Sequence, residues 1–138
     1  MTDSQIVEII SRKLVPFTVL FGLYLISYGH VSPGGGFQGG VVLASGMILL
    51  LLSRTRESAL GFWAVNRIRW LESVAFFLFL LMGLVGVAFN VGFLGNFLPI
   101  GTPGGMPSAG FIFFLNIVIG FKVGAGIVLI CFYLFREA

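Results

Sequence analysis

The sequence contains little charge. Only 9% of its 138 residues are Asp, Glu, Lys or Arg, whereas 58% are hydrophobic, and its mean hydropathy is +1.09. A typical soluble domain is about 25% charged. So few polar side chains cannot cover the surface of a soluble domain. The composition therefore excludes an ordinary soluble protein and predicts an integral membrane protein.

The chain also lacks the residue combinations that most active sites require. Its single cysteine, Cys131, cannot form an internal disulfide, and we expect it to be a small buried apolar residue. Its single histidine, His30, has no carboxylate or thiol near it in the sequence, so we predict no metal site. No nucleophile–base pair or cofactor-binding motif is present. We therefore expect neither autonomous catalysis nor a cofactor, and the scattered basic residues predict no nucleic-acid binding.

What the sequence does contain is apolar runs, each near the length of about 20 residues that crosses a bilayer. Within them only Glu72 and Lys122 are charged. So few spans must be helical, because an open sheet cannot satisfy its backbone hydrogen bonds in lipid. The predicted fold is all-α, with one membrane domain over residues 1–138. The four predicted spans are residues 14–29, 37–53, 71–91 and 111–135.

The segment before the first span has apolar residues at helical spacing, namely Ile6, Val7, Ile10 and Leu14. This pattern predicts an interfacial helical turn that leads into the membrane. Pro16 is expected to kink or break the helix near that point.

The loops differ sharply in charge. Residues 54–70 include four arginines, whereas residues 30–36 and 92–110 include no lysine or arginine. Basic residues also lie near both termini. By the positive-inside rule, both termini and the basic loop are predicted to face the cytoplasm. Trp63 and Trp70 flank that loop, as is typical of residues at the membrane surface.

A run of glycines joins the first two predicted spans. Gly34, Gly35 and Gly36 follow Pro33 and allow a tight reversal of the chain. Two pairs of glycines are spaced four residues apart, which creates a narrow helix face that another helix can approach closely. These pairs are Gly36 with Gly40, and Gly35 with Gly39. A phosphate-binding loop is disfavoured, because the run lacks the Lys-Ser/Thr of a P-loop.

Lys122 is the most unusual residue, because it lies near the middle of the fourth span. A lysine at that depth costs about 2.5 to 3.5 kcal/mol on insertion scales. It either faces an ion path or an acidic partner, or has a structural role. Gly120 and Gly124 beside it allow close approach of a partner helix. Glu72, at the start of the third span, is expected to pair with Arg69 or Arg67 and not to reach Lys122, so the partner of Lys122 is expected in another chain.

Three other polar residues, His30, Asn90 and Asn116, are candidates for a specific role. His30 is either a proton-relaying group on the outer side or a hydrogen-bonded structural residue. Asn90 and Asn116 are candidates for hydrogen bonds between helices.

The segment from Gly29 to Gly40 resembles the MnhB/MrpB family, small subunits of multi-subunit Mrp cation/proton antiporters. Members show a GH-x-x-PGGGF-x-GG run between two spans, and this chain reads GHVSPGGGFQGG. The size, the four spans and the glycine-rich stretch before the last span also fit. The resemblance implies one subunit of a hetero-oligomer, with other Mrp-type subunits and redox subunits as partners and Na⁺ and H⁺ as transported ions.

One difference bears on the type of complex. Stand-alone antiporter members resemble FDLGVY in the last span, whereas this chain has FKVGAG with Lys122 and no acid. The resemblance therefore favours archaeal ferredoxin-driven complexes of the hydrogenase or sulfane reductase type. Subunits of a stand-alone antiporter, a purely structural membrane subunit and an autonomous homodimeric transporter are the alternatives.

Overall fold

The computed structural model describes residues 3–31, 34–53, 62–102 and 109–137. Each of its four helices is long and apolar enough to cross a membrane. No strand occurs in the described ranges, so the all-α prediction with four membrane-spanning helices is confirmed. The helices are α1 (Asp3–Tyr28), α2 (Gly36–Ser53), α3 (Phe62–Ala88) and α4 (Phe111–Glu137).

The first helix is longer than predicted. The interfacial turn and the first span form one helix that continues through Pro16. Of the predicted kink or break at Pro16, the break does not occur. Proline removes only one backbone N–H from the helical ladder, and the turns on both sides are held by other contacts. Glu8 forms an ion pair with Arg12 at 2.7 Å, and the Thr18 hydroxyl donates to the Leu14 carbonyl at 3.1 Å.

The third helix is displaced along the chain relative to its prediction. It begins at Phe62 and ends at Ala88, whereas residues 71–91 were predicted. Arg67, Arg69 and Trp70 therefore lie in helix and not in a loop. Hydropathy alone placed the boundary too late, because a helix can extend beyond the apolar segment that it contains. The remainder of the predicted basic loop, residues 54–61, lies outside the described residues.

The helices do not pack in a symmetric bundle. The second helix lies between α1 and α4, and α1 also contacts α4. In the described part of the chain α3 contacts α4 but neither α1 nor α2. Small and branched side chains fill the contacts, including buried Ile26, Ala44 and Val128. Among the four described helices, α4 is therefore the one that joins α3 to the rest of the bundle.

The segment between α3 and α4 is built around one asparagine. The Asn96 side-chain oxygen accepts hydrogen bonds from the backbone N–H groups of Leu98 and Phe111, both at 3.2 Å. The second bond satisfies an N–H at the start of α4, where no intrahelical acceptor exists. Phe97 packs against both Phe89 and Phe111, and Phe111 is only 1% exposed. The described contacts at the start of α4, made by Asn96 and Phe97, involve no charged side chain.

Candidate functional site

The glycines of α2 face the backbone of α4. A Cβ atom added at Gly40 would lie 2.5 Å from the Gly120 carbonyl oxygen, a distance that real Cβ atoms do not reach. A Cβ at Gly36 would overlap the carbonyl of Asn116, and one at Gly124 would lie 3.2 Å from the Gly40 carbonyl oxygen. The two backbones are therefore close enough to exclude larger side chains at these positions.

The opposite side of α2 makes a similar contact with α1. A Cβ at Gly39 would lie 2.5 Å from Cγ1 of Ile26 and 2.9 Å from the Gly22 carbonyl oxygen. A Cβ at Gly120 would lie 2.5 Å from Cδ1 of the same Ile26. Ile26 thus fills a space that exists only because its neighbours on two helices lack side chains. We call Gly36, Gly39, Gly40, Gly120 and Gly124 the glycine interface.

The two remaining predicted packing glycines lie outside this interface. Gly34 has a φ of +131°, a conformation that residues with a Cβ rarely adopt. A Cβ at Gly35 would meet only Oε1 of Gln38, at 3.4 Å. Both belong to the reversal between α1 and α2, where a Cβ at Gly29 would overlap the Gly35 backbone. The predicted role of Pro33 in this reversal lies outside the described residues.

The charged residues of α3 and α4 meet on the other face of α4. The Lys122 ammonium lies 3.5 Å from Oε1 of Glu72 and 5.5 Å from the centre of the Phe76 ring. The Lys122 and Glu72 side chains are 39% and 30% exposed in the isolated chain. Phe76 follows Glu72 by four residues, so it lies on the same face of α3. Lys122 is therefore held by an anion and by an aromatic ring from the same helix.

This pairing corrects the expectation that Lys122 has its partner in another chain. Glu72 lies 16 residues before the end of α3, and Lys122 lies 11 residues after the start of α4. At 1.5 Å per residue, the Glu72 Cα atom lies about 24 Å from the end of α3, and the Lys122 Cα atom lies about 17 Å from the start of α4. The two positions along their helices thus differ by only about 7 Å, a distance that a long side chain such as that of lysine can cover.

Arg69 is not the partner of Glu72. Its Nη2 atom instead donates a hydrogen bond to the hydroxyl of Tyr133 on α4. In the described ranges Glu72 forms an ion pair with Lys122 and with neither Arg67 nor Arg69. We call this group, Arg69, Glu72 and Phe76 of α3 with Lys122 and Tyr133 of α4, the α3–α4 seam. Sequence reasoning missed Tyr133, although it follows Lys122 by about three helical turns and so shares its face.

His30 lies apart from the charged pair. It follows α1 and packs edge-on against Phe113, with 5.5 Å between ring centres. Phe113 precedes Lys122 by nine residues, about 13 Å along α4. Both imidazole nitrogens are inaccessible to solvent and have no hydrogen-bond partner among the described residues. The structure therefore does not bring His30 and Lys122 into one site.

The remaining candidates from the sequence also lie away from the charged pair, in different parts of the described structure. Asn116 Oδ1 accepts a hydrogen bond from the Gly36 backbone N–H at 3.4 Å, which confirms a bond between helices. Asn90 lies beyond the end of α3 with a φ of 57°, so its expected role within a span is wrong. Cys131 is half-buried and free. In the described ranges no group of three or more His, Cys, Asp or Glu side chains could hold a metal ion.

Chemically, the α3–α4 seam is the part of the described structure where oppositely charged side chains of two helices meet. The carboxylate of Glu72 and the ammonium of Lys122 lie 3.5 Å apart and attract each other. Both remain partly exposed, so a third charged or hydrated group can approach them. Ionisable residues in membrane segments typically mark ion paths, proton relays or contacts with other subunits.

Comparisons with known proteins agree with this description. The family described as "Domain related to MnhB subunit of Na+/H+ antiporter" matches residues 6–129. An uncharacterized protein of Methanocaldococcus jannaschii is 32% identical over 97% of this chain and 53% of its own length. A Na(+)/H(+) antiporter subunit of Bacillus subtilis is 37% identical over 61% of this chain and 59% of its own length. The chain thus spans a little over half the length of these relatives.

A solved structure shows the same fold. A chain in the structure of the membrane-bound sulfane sulfur reductase, described as an archaeal respiratory membrane complex, aligns with a TM-score of 0.75. The alignment covers 91% of this chain and 55% of the other, at 29% identity. Because the family match extends over both the glycine interface and most of the α3–α4 seam, the chain belongs to the family of domains related to the MnhB subunit of Na⁺/H⁺ antiporters.

Proposed function

We propose that this chain is a membrane subunit of an Mrp-type sodium/proton antiporter module within an archaeal ferredoxin-driven respiratory complex. In that complex, of the hydrogenase or sulfane reductase type, redox chemistry elsewhere is coupled to translocation of Na⁺ and H⁺. The chain itself is non-catalytic and assembles with other Mrp-type subunits. The observation that carries this proposal is the likeness to a chain of the sulfane sulfur reductase over 91% of the present chain.

Its proposed place is the prokaryotic cell membrane, with both termini on the cytoplasmic side. Arginines and lysines support this orientation, because they gather in the first turns of α1, from residue 54 to the first turns of α3, and at the end of α4. The two segments on the opposite side carry none of them. An even number of helices is consistent with both termini on one side.

Within the module, the Lys122–Glu72 pair is the proposed electrostatic element. The last span lacks the acidic residue of stand-alone antiporter members, but α3 supplies a carboxylate beside Lys122. The pair is partly exposed, which suits a position that lines or gates an ion path where subunits meet. His30 is proposed as a separate proton-binding group nearer the other end of the bundle.

The test of this role is sodium-dependent proton movement in membrane vesicles that contain the whole complex with Lys122→Ala. We expect transport to fall by about tenfold, which corresponds to about 1.4 kcal/mol in the barrier. Lys122→Arg, which keeps the charge, is expected to retain more transport. Gly126→Ala is the matched control in the same helix, because a Cβ there would meet nothing within 4 Å.

The proteins that co-purify with the unsubstituted chain identify the type of complex to which it belongs. A nickel–iron large subunit would indicate a hydrogenase, and iron–sulfur proteins with a modified large subunit would indicate a sulfane reductase. Antiporter subunits alone would indicate a stand-alone Mrp complex, and a homodimer active alone in liposomes would overturn the subunit proposal.

The glycine interface favours a second candidate function, that of a purely structural subunit. Backbone contacts between α2 and α4 stabilise a scaffold whether or not ions pass nearby. This candidate predicts unchanged transport in an assembled Lys122→Ala complex, which would also overturn the proposed role of the charged pair.

A further inference from the structure

Arg69 has no carboxylate partner in the described part of the protein. Its guanidinium donates a hydrogen bond to the Tyr133 hydroxyl. The nearest acidic residue on its own helix is Glu72, which forms its ion pair with Lys122. Arg69 itself is exposed. The seam therefore carries one more positive than negative charge, and the excess lies at the end where α3 begins and α4 ends.

Among the described residues, the hydrogen bond between Arg69 and Tyr133 leaves further donors on both side chains without a partner. A guanidinium has five N–H donors, and one of them is directed to Tyr133. The Tyr133 oxygen accepts that bond, so its own O–H proton remains able to donate to another group. Two side chains from different helices thus offer hydrogen-bond donors at one place, and the bond between them fixes their separation.

A second cation lies beside this pair. Arg136 follows Tyr133 by three residues in α4, and residues with this spacing are neighbours on a helix surface. It is exposed and forms no ion pair with the residues that the structure describes. Glu137 follows Tyr133 by four residues and is also exposed, so one carboxylate lies on the same helix surface. We call Arg69, Tyr133 and Arg136 the basic corner, and with Glu137 counted it keeps one more positive than negative charge.

The aromatic residues at the basic corner indicate its depth. Trp70, next to Arg69, is 66% exposed, and Tyr133 is 36% exposed. Exposed tryptophan and tyrosine at the ends of membrane helices lie at the level of the lipid headgroups. An anion that meets the basic corner at this level is therefore most readily a lipid phosphate, which arginine binds through two parallel N–H groups.

We propose that the basic corner binds the headgroup phosphate of one anionic phospholipid, in the leaflet next to the start of α3 and the end of α4. The phosphate diester, with its single negative charge, accepts hydrogen bonds from Arg69 and the Tyr133 hydroxyl, and Arg136 offsets the charge of the neighbouring Glu137. The acyl chains lie along the apolar surface that α3 leaves open, since α3 packs on α4 alone among the described helices. This site is separate from the proposed ion-transport role of Lys122.

The experiment uses the full chain with Trp63→Phe, so that Trp70 is the single tryptophan. The protein is reconstituted in phosphatidylcholine vesicles with a small fraction of brominated phosphatidylglycerol or of brominated phosphatidylcholine, and Trp70 fluorescence is measured. We expect the brominated phosphatidylglycerol to associate about fivefold more strongly than its zwitterionic counterpart. Arg69→Gln should abolish this preference, and Tyr133→Phe should reduce it.

Arg12→Gln is the matched control, because Arg12 is an exposed arginine on α1 that already pairs with Glu8. It removes the same charge from the chain but should leave the preference unchanged. Equal quenching by the two lipids would overturn the proposal. Loss of the preference in Arg12→Gln would also overturn it, since the attraction would then come from the general surface charge. Circular dichroism of each variant verifies that the helices are intact.

Discussion

The two faces of α4 are held in opposite ways. Toward α2 it presents Gly120 and Gly124, and the contact is backbone against backbone. Toward α3 it presents Lys122 and Tyr133, and the polar contacts join the ends of long side chains. In lipid, helices gain little from burying apolar surface and associate through close packing or polar contacts. This protein uses close packing for one pair of helices and polar contacts for the other.

The difference determines which changes each contact tolerates. A backbone contact has no flexible part that can move aside, so an added methyl group must displace a helix. A contact between long side chains can adjust its geometry, but it loses its partner when one charge is removed. We therefore expect the glycine interface to be sensitive to volume and the α3–α4 seam to be sensitive to charge.

The largest effect is expected from Gly40→Leu, which forces a side chain into the carbonyl of Gly120. Helices α2 and α4 should separate, and the folded chain should no longer be recovered from detergent by size-exclusion chromatography. Gly40→Ala should lower the free energy of unfolding by about 1–3 kcal/mol, as is usual for overpacking. Gly126→Ala, with open space at its Cβ, should be neutral, and equal losses in the two alanine variants would contradict the backbone contact.

A smaller effect is expected from Glu72→Gln, which leaves the Lys122 ammonium without its anion. The pair is partly exposed, so we expect a loss of about 1 kcal/mol in the free energy of unfolding and not the larger cost of a fully buried pair. Unfolding in mixed micelles measures this loss. The double variant Glu72→Gln with Lys122→Gln should recover part of it, and strictly additive losses would show that the two residues do not interact.

The smallest effect is expected from Asn116→Ala, which removes the polar contact within the glycine interface. Its bond to the Gly36 N–H is long, at 3.4 Å, and hydrogen bonds between membrane helices contribute about 0.6 kcal/mol on average. The same unfolding assay should therefore show a loss below that of Glu72→Gln. A loss as large as that of Gly40→Ala would mean that the polar contact, and not the glycines, stabilises this interface.

Much of the architecture was predictable because a bilayer limits the choices. Apolar runs of sufficient length predict helices, and α2 and α4 lie within two residues of their predicted bounds. The continuous α1 and the early start of α3 were missed, because amphipathic helical turns outside the apolar runs carry a weak hydropathy signal. The spacing of Gly36 and Gly40 predicts a close helix contact, but only the structure identifies α4 as the partner.

The charged pair was the harder case. The sequence places Glu72 near the edge of an apolar run and Lys122 near the middle of another, and that difference in depth argued against a contact. The long lysine side chain and the early start of α3 at Phe62 both reduce this difference in depth. Neither can be read from the hydropathy of the sequence. The register between α3 and α4, which places Glu72 opposite Lys122, depends on the turn built around Asn96 and on packing that has no local sequence signature.

The contacts of α4 also tie together distant parts of the chain. The backbone that covers the glycine face of α2 belongs to α4, and the bonded groups of Gly36 and Asn116 are 80 residues apart in the chain. Without α4, this face of α2 has no partner, and α3 has no helix to pack against among those described. A chain that lacks α4 should therefore lose the contacts of both α2 and α3 with it and be prone to misfolding.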